Sequence, residues 1–171
     1  MKRKIVIITV SVLAVALVVA SGLIAGFNTG KINCGGTAEK DITVYTDGGK
    51  RVTLSSKHGK PVVVNFWASW CSYCVQEMPD FQDMYEKYGD EVEFMMVNVK
   101  DTKANAKEII SRYGFTFPVY YDRNDAAYGA YVTGGGIPVT AFINKDGTIE
   151  YVQKGMISES KLETYIQKIN K

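Results

Sequence analysis

"VVVNFWASWCSYCVQEMP", Val62 to Pro79, decides how this chain is read. It opens as a short continuous apolar run, the pattern of a strand buried on both faces. It closes in a helical pattern, because Met78, Phe81, Met84, Tyr85 and Tyr88 recur at helical spacing up to Gly89. Between them stands a Cys-x-x-Cys pair, Cys71 and Cys74. The pair therefore falls where a buried strand ends and a helix begins.

Most uses of such a pair are excluded by what surrounds it. A structural zinc site needs four Cys or His ligands, but the chain has a single histidine, His58, and its third cysteine, Cys34, lies far upstream. A c-type haem needs Cys-x-x-Cys-His, and Val75 stands in the histidine's place. A cysteine hydrolase wants a histidine base, and His58 in "KHGK" reads as a solvated turn residue among lysines. A peroxide-reducing cysteine would have Thr or Ser three residues before it, where this chain has Ala68. A structural staple between adjacent turns would restrain the unfolded chain little. Thiol–disulfide exchange remains.

The placement suits that chemistry. At a helix N-terminus, unpaired backbone N–H groups and the positive end of the dipole stabilise the Cys71 thiolate, and the thiolate is the form that attacks. Cys74, one turn later on the same face, is placed to resolve a mixed disulfide. Glu77 lies one turn beyond Cys74; it reads equally as a proton acceptor for that thiol and as an ordinary surface acid. Pro79 falls inside the helical pattern and predicts a kink, not a stop. "GGGIPVT" sets Pro138 after three glycines at the start of a strand, where proline's missing donor is tolerated. The sequence leaves the isomer of the Ile137–Pro138 bond open.

Outward from these motifs, strands and helices alternate. "DITVYT" and "KRVTLS" flank "DGGK" as an N-terminal β-hairpin. "VEFMMVNV" is a second buried strand. "ANAKEIISRYG" is a helix with Ala106, Ile109, Ile110 and Tyr113 on one side and Gly114 as its stop. "FPVYYD" and "AAYGAYV" add a strand and a short helix. "IPVTAFIN" and "TIEYVQKG" form a hairpin around Asp146-Gly147. "SESKLETYIQKIN" closes the chain, with Ser158 or Ser160 as N-cap and a capping box from Ser160 to Glu163. The order predicts an α/β fold with a mixed central sheet flanked by helices.

Charge and composition bound the context. Lys2, Arg3 and Lys4 precede an uncharged run over residues 5–27, and beyond Phe27 the 17 basic and 18 acidic residues nearly cancel. That balance carries no footprint for nucleic acid. Twenty-three residues of helix reach roughly 34 Å, enough for the ~30 Å core of a bilayer. Residues 1–4 are then a cytoplasmic basic segment, 5–27 a single-pass transmembrane anchor and 28–38 a flexible Gly/Thr/Asn tether. The domain over 39–171 lies on the extracytoplasmic face. A signal peptide cleaved near Ala20-Ser21-Gly22 is the competing reading, and it exports the domain equally. Cys34, in the tether, lacks the flanks of a lipidated cysteine and reads as an unpaired thiol, with intermolecular pairing as the alternative.

Together these motifs resemble the thioredoxin fold and, within it, the membrane-anchored TlpA/ResA-like thiol–disulfide oxidoreductases. The resemblance covers residues 39–171. It rests on "VVVNFWASWCSYCVQEMP" with Trp67, Trp70 and Pro79, and on "GGGIPVTAFINKDG" with its candidate cis-proline. The 64 positions from Cys74 to Pro138 exceed a plain thioredoxin's by about a helix and a strand, similar to that group's central insertion. By this resemblance Cys71 and Cys74 form a redox-active disulfide, Cys71 attacking and Cys74 resolving. Glu77 matches the group's Glu-x-Pro acid, which favours a functional role. Trp70, Ile137 and Pro138 would shape the substrate groove, the backbone of Ile137 pairing with an extended partner. Trp67 and Asp101 would support the site, Asp101 as a second acid. One departure stands out: thioredoxin's buried aspartate is Asn65 here, which cannot take a proton.

The resemblance implies an exchange enzyme without metal or cofactor. Its leading reading is a reductant of exported proteins, with apocytochrome c disulfides (cytochrome c maturation) or methionine sulfoxide reductase as substrates and a membrane electron donor of the CcdA/DsbD type. A disulfide oxidase or isomerase is the alternative, because Ser72-Tyr73 matches the dipeptide of neither reductants nor strong oxidants. A redox-inert scaffold is the remote one.

Overall fold

The structure is a computed structural model and describes residues 40–171. The expected basic segment, membrane span and tether, with Cys34, lie outside the described residues. Among the described residues no helix is long and apolar enough to cross a membrane.

In chain order the elements are β1 (Thr43–Tyr45), β2 (Arg51–Thr53), a 3-10 turn (Leu54–Lys57), β3 (Val62–Trp67), α1 (Ser72–Tyr88), β4 (Glu93–Asn98), α2 (Lys103–Tyr113), β5 (Val119–Tyr121), α3 (Ala126–Tyr131), β6 (Val139–Ile143), β7 (Ile149–Lys154) and α4 (Glu159–Ile169). One mixed sheet runs β2-β1-β5-β4-β3-β6-β7. The central β3, β4 and β5 are parallel, while β6, β7 and the β1–β2 hairpin are antiparallel. This is the thioredoxin-like α/β arrangement that the strand and helix pattern predicts, with α2, β5 and α3 filling the stretch between β4 and β6.

The pleat sorts the core. Side chains alternate across a sheet, so Val63 and Trp67 of β3 and Phe94 and Met96 of β4 face one layer, with Met78 and Phe81 of α1 and Leu162 and Ile166 of α4. Val62, Val64, Phe66, Met95 and Val97 face the other layer, with Ala127 and Tyr131 of α3. Every residue of β3 is buried, which is why its sequence does not alternate. Each large apolar side chain buried this way contributes about 1.5–3 kcal/mol. An exposed ion pair such as Lys87 with Glu163 is screened by water and contributes little beside that. The apolar face therefore seats α1.

Two local expectations are corrected. On α2 Ala106 is buried and Ile109 and Ile110 pack half-buried against the core as expected, but Tyr113, stacked on Phe115, stays more than half exposed; that helix lies on the surface of the sheet layer. Gly114 does end it, in the left-handed conformation at φ 71°. At α4 the N-cap position is Ser158, without a side-chain capping bond. The Ser160–Glu163 box does not form, because Glu163 accepts from Lys87 and Tyr88 of α1 instead.

Candidate active site

Cys71 and Cys74 are joined by a disulfide, with Cα atoms 5.2 Å apart. Cys71 is the N-cap of α1, extended at φ −90°, and its sulfur accepts the backbone N–H of Cys74 at 3.2 Å. The junction predicted from sequence is thus a helix N-terminus whose first free donors point at a sulfur. Cys71 is 7% exposed and Cys74 1% exposed. Only the first presents an edge to solvent.

The Ile137–Pro138 bond is cis, and the Ile137 carbonyl oxygen lies 3.7 Å from the Cys71 sulfur. Pro138 is buried and Ile137 half-buried; Gly155 donates its N–H to the Pro138 carbonyl at 2.9 Å. The two motifs most distant in sequence therefore meet at the disulfide. Trp67 is buried beneath it, while Trp70 stands 63% exposed beside it. Trp70 is held by its indole N–H, which donates to the Lys100 carbonyl at 2.9 Å. A groove of about 520 Å³ next to it is lined by Trp70, Val75, Pro79, Ile109 and Tyr113.

Glu77 is not a surface acid. It is 2% exposed, on the buried face of α1 with Cys74, Met78 and Phe81. Its Oε1 accepts from the Asn65 amide at 2.9 Å and its Oε2 from the Ile157 backbone N–H at 2.9 Å. Burial pushes its carboxyl up to about 7, against those two hydrogen bonds and with a smaller upward push from Asp80. Of the sequence's two readings of Glu77, burial removes the ordinary surface acid.

Asp101 does other work. Burial disfavours its charge, but the hydrogen bonds from Asn98, Ser69 and Thr102 outweigh burial and hold it below the usual carboxylate range. Its Oδ2 accepts from the Ser69 N–H at 2.7 Å and from the Asn98 amide at 3.0 Å, and its Oδ1 from the Thr102 N–H at 2.7 Å. It ties the loop that carries Trp70 and Cys71 to the end of β4.

Several contributors were not singled out from sequence. Thr140, Ile157 and the Lys100 carbonyl touch the site residues directly. For Thr140 a signal existed: a polar residue within a buried strand needs a partner. For a backbone N–H or carbonyl there is none, since every residue carries one.

Comparison with known proteins agrees with this geometry. Residues 36–152 match the AhpC/TSA family. The chain is 31% identical over 171 residues to thiol–disulfide oxidoreductase ResA of Geobacillus thermodenitrificans, covering 98% of this chain and 97% of that one. It is 32% identical over 135 residues to ResA of Bacillus subtilis, 78% of this chain and 75% of that one. Among solved structures, the thiol:disulfide interchange protein, thioredoxin family protein from Chlorobium tepidum aligns with TM-score 0.69 and 26% identity over 80% of this chain and 97% of that one. With a disulfide at a helix N-terminus, a cis-proline against it and a buried acid one turn on, the chain belongs to the AhpC/TSA family and, by descent and site alike, to the ResA-like thiol–disulfide oxidoreductases.

Proposed function

We propose that this enzyme is an anchored reductant that works outside the cytoplasm on disulfides of exported proteins. The Cys71 thiolate attacks one sulfur of the substrate disulfide, forming a mixed disulfide and releasing one substrate thiolate. The Cys74 thiol gives its proton to Glu77 and attacks the Cys71 sulfur, which closes Cys71–Cys74 and releases the second thiolate. Two electrons have passed to the substrate. A membrane dithiol donor of the CcdA/DsbD type then returns them, and the proton on Glu77 leaves. Trp70, Ile137 and Pro138 frame the attack, the Ile137 backbone pairing with an extended substrate segment. Apocytochrome c and oxidised methionine sulfoxide reductase fit as substrates, since both present exported disulfides.

The observation that carries the direction is Glu77. A dithiol becomes an oxidant when its reduced form is stabilised, chiefly by an easily formed thiolate. A buried carboxylate one turn from Cys74, paired with no cation among the described residues, opposes that thiolate. The helix N-terminus at Cys71 favours it and is the observation on the side of an oxidase or isomerase. The reduction potential of the couple in the full-length protein decides between them. A value at or below about −250 mV, near thioredoxin's roughly −270 mV, is expected. A value near about −120 to −180 mV reverses the electron flow. Fractionation with the membrane is expected for the full chain; recovery only in the soluble fraction removes the anchor from this reading.

A further inference from the structure

Asn65 departs from the thioredoxin pattern, and the structure gives that departure a use. The alternation of β3 turns Asn65 to the same face as Val63 and Trp67, toward α1. The sheet register sets it directly opposite Thr140 on β6. Both side chains are wholly buried. The amide nitrogen of Asn65 spends both hydrogens, one on Glu77 Oε1 at 2.9 Å and one on Thr140 Oγ1 at 3.0 Å. Its own carbonyl oxygen is buried without a hydrogen-bond partner. Turning the amide over would set that carbonyl against the Glu77 carboxylate, acceptor against acceptor, and strand two N–H donors. Thr140, whose hydroxyl both donates and accepts, serves either orientation, so the ionised Glu77 carboxylate is what dictates this one.

We propose that Asn65 is a positioning residue of the exchange: braced by Thr140, its amide holds the Glu77 side chain one turn beyond Cys74 and favours the ionised carboxylate against the burial that opposes it. With Asn65 on Oε1 and the Ile157 N–H on Oε2, both oxygens meet donors, an arrangement matched to an anion and poorly matched to a neutral acid, whose hydroxyl is a weak acceptor. A neutral donor is required here. An aspartate at this position would put a second carboxylate within 2.9 Å of Glu77, and such a pair shares one proton and titrates as a unit. Asparagine supplies the hydrogen bond and leaves Glu77 as the single acceptor. The other charged group acting on Glu77 is Asp80 on α1, itself raised by burial, by Glu159 of α4 and by Asp83. β3, β6 and the segment before α4 present only the neutral Asn65, Thr140 and Ile157.

The inference rests on Glu77 being the proton acceptor of Cys74, and its test is read without using the exchange reaction. The carboxyl carbon of Glu77 is titrated by NMR in the full-length oxidised protein, in which neither thiol titrates. Asn65→Leu is expected to raise the midpoint by about one pH unit, a tenfold gain in proton affinity. Asn65→Asp is expected to raise it further and split it into two steps. Thr140→Val is expected to move it the same way, and Thr140→Ser to restore it. Midpoints within about half a pH unit of wild type in both Asn65→Leu and Thr140→Val overturn the proposal. If Asn65→Leu does not fold, Asn65→Asp and Thr140→Val decide by the same criterion. An exchange rate indifferent to Glu77→Gln removes the acceptor role alone, and the titration still tells whether Asn65 governs the carboxyl.

Discussion

Ile157 donates its backbone N–H to Oε2 of Glu77 at 2.9 Å, across 80 residues of chain. The bond joins the segment that enters α4 to the helix that carries both cysteines. Glu77 thus anchors a distant loop and, in the proposed exchange, takes the Cys74 proton. Its surroundings pull its protonation state in opposite directions, because burial favours the acid and the two donors favour the carboxylate.

The Glu77 carboxyl sits at about 7 in the folded chain, above its ordinary 4.5. The folded state therefore binds a proton more tightly than the unfolded state between those pH values. Stability is highest below about 4.5 as far as this group is concerned and falls as pH rises through about 7, by about 3 kcal/mol in all. Glu77→Gln has no such slope, and it turns an NH2 toward one of the two donors at a cost of about 1–3 kcal/mol. The variant should be less stable than wild type at pH 5, with the gap closing by pH 8. Urea unfolding of both oxidised proteins at several pH values reads this directly; parallel pH profiles would refute it. The same variant should slow exchange on the order of 10²-fold, the scale of general base catalysis.

Cys71 is the more exposed sulfur and sits at the helix N-terminus. Cys74→Ser should therefore accumulate a mixed disulfide with a protein substrate, because nothing resolves it. Cys71→Ser should accumulate none, since Cys74 is sealed in the core. Non-reducing gels after acid trapping compare the two. Adducts at Cys74 would exchange the assigned roles.

Asp101→Ala removes the acceptor for Ser69 N–H, Thr102 N–H and the Asn98 amide together. Hydrogen bonds to a charged group contribute about 1.5–3 kcal/mol, so a loss of at least that size is expected. Wild-type Asp101 is held low, so its contribution is present above the ordinary carboxylate range and fades as pH falls through its lowered value. Because the freed loop carries Trp70, its emission should red-shift and broaden. Wild-type stability with an unchanged spectrum would rule the clamp out.

Among the described residues Lys100 and Asp125 are the two non-glycine residues with left-handed backbone, at φ 52° and 58°, and they form an ion pair with each other. At Lys100 that conformation presents the carbonyl to Trp70. Lys100→Gly should melt with wild type, as relief of strain offsets the loss of the exposed ion pair. Lys100→Val, β-branched and unsuited to this region, should cost about 1–3 kcal/mol. Equal melting curves for the two variants would remove strain from the account.

What could be read along the chain was whatever near neighbours dictate. The buried strand Val62–Trp67, the helix from Ser72 to Tyr88, the cysteine pair at their junction and the stop at Gly114 follow from periodicity and from backbone preferences that act over a few residues. Glu77 could be named from its place one turn beyond Cys74, but its burial could not, since a helix face is wet or dry only by what packs on it. Tyr113 shows the converse: its spacing puts it on the apolar side of its helix, yet only Phe115 stacks on it and more than half of it stays exposed. The pairing of Asn65 with Thr140 and Glu77, the Ile157 bond and the approach of Ile137 to Cys71 are separated by 12 to 80 residues of chain. They exist because β6 aligns antiparallel to β3 in one register, and a shift of one residue would turn Thr140 away from Asn65. Local patterning determined where the sulfurs sit; sheet register and helix packing decided which polar groups surround them, because desolvation and hydrogen bonding depend on what arrives from elsewhere in the chain.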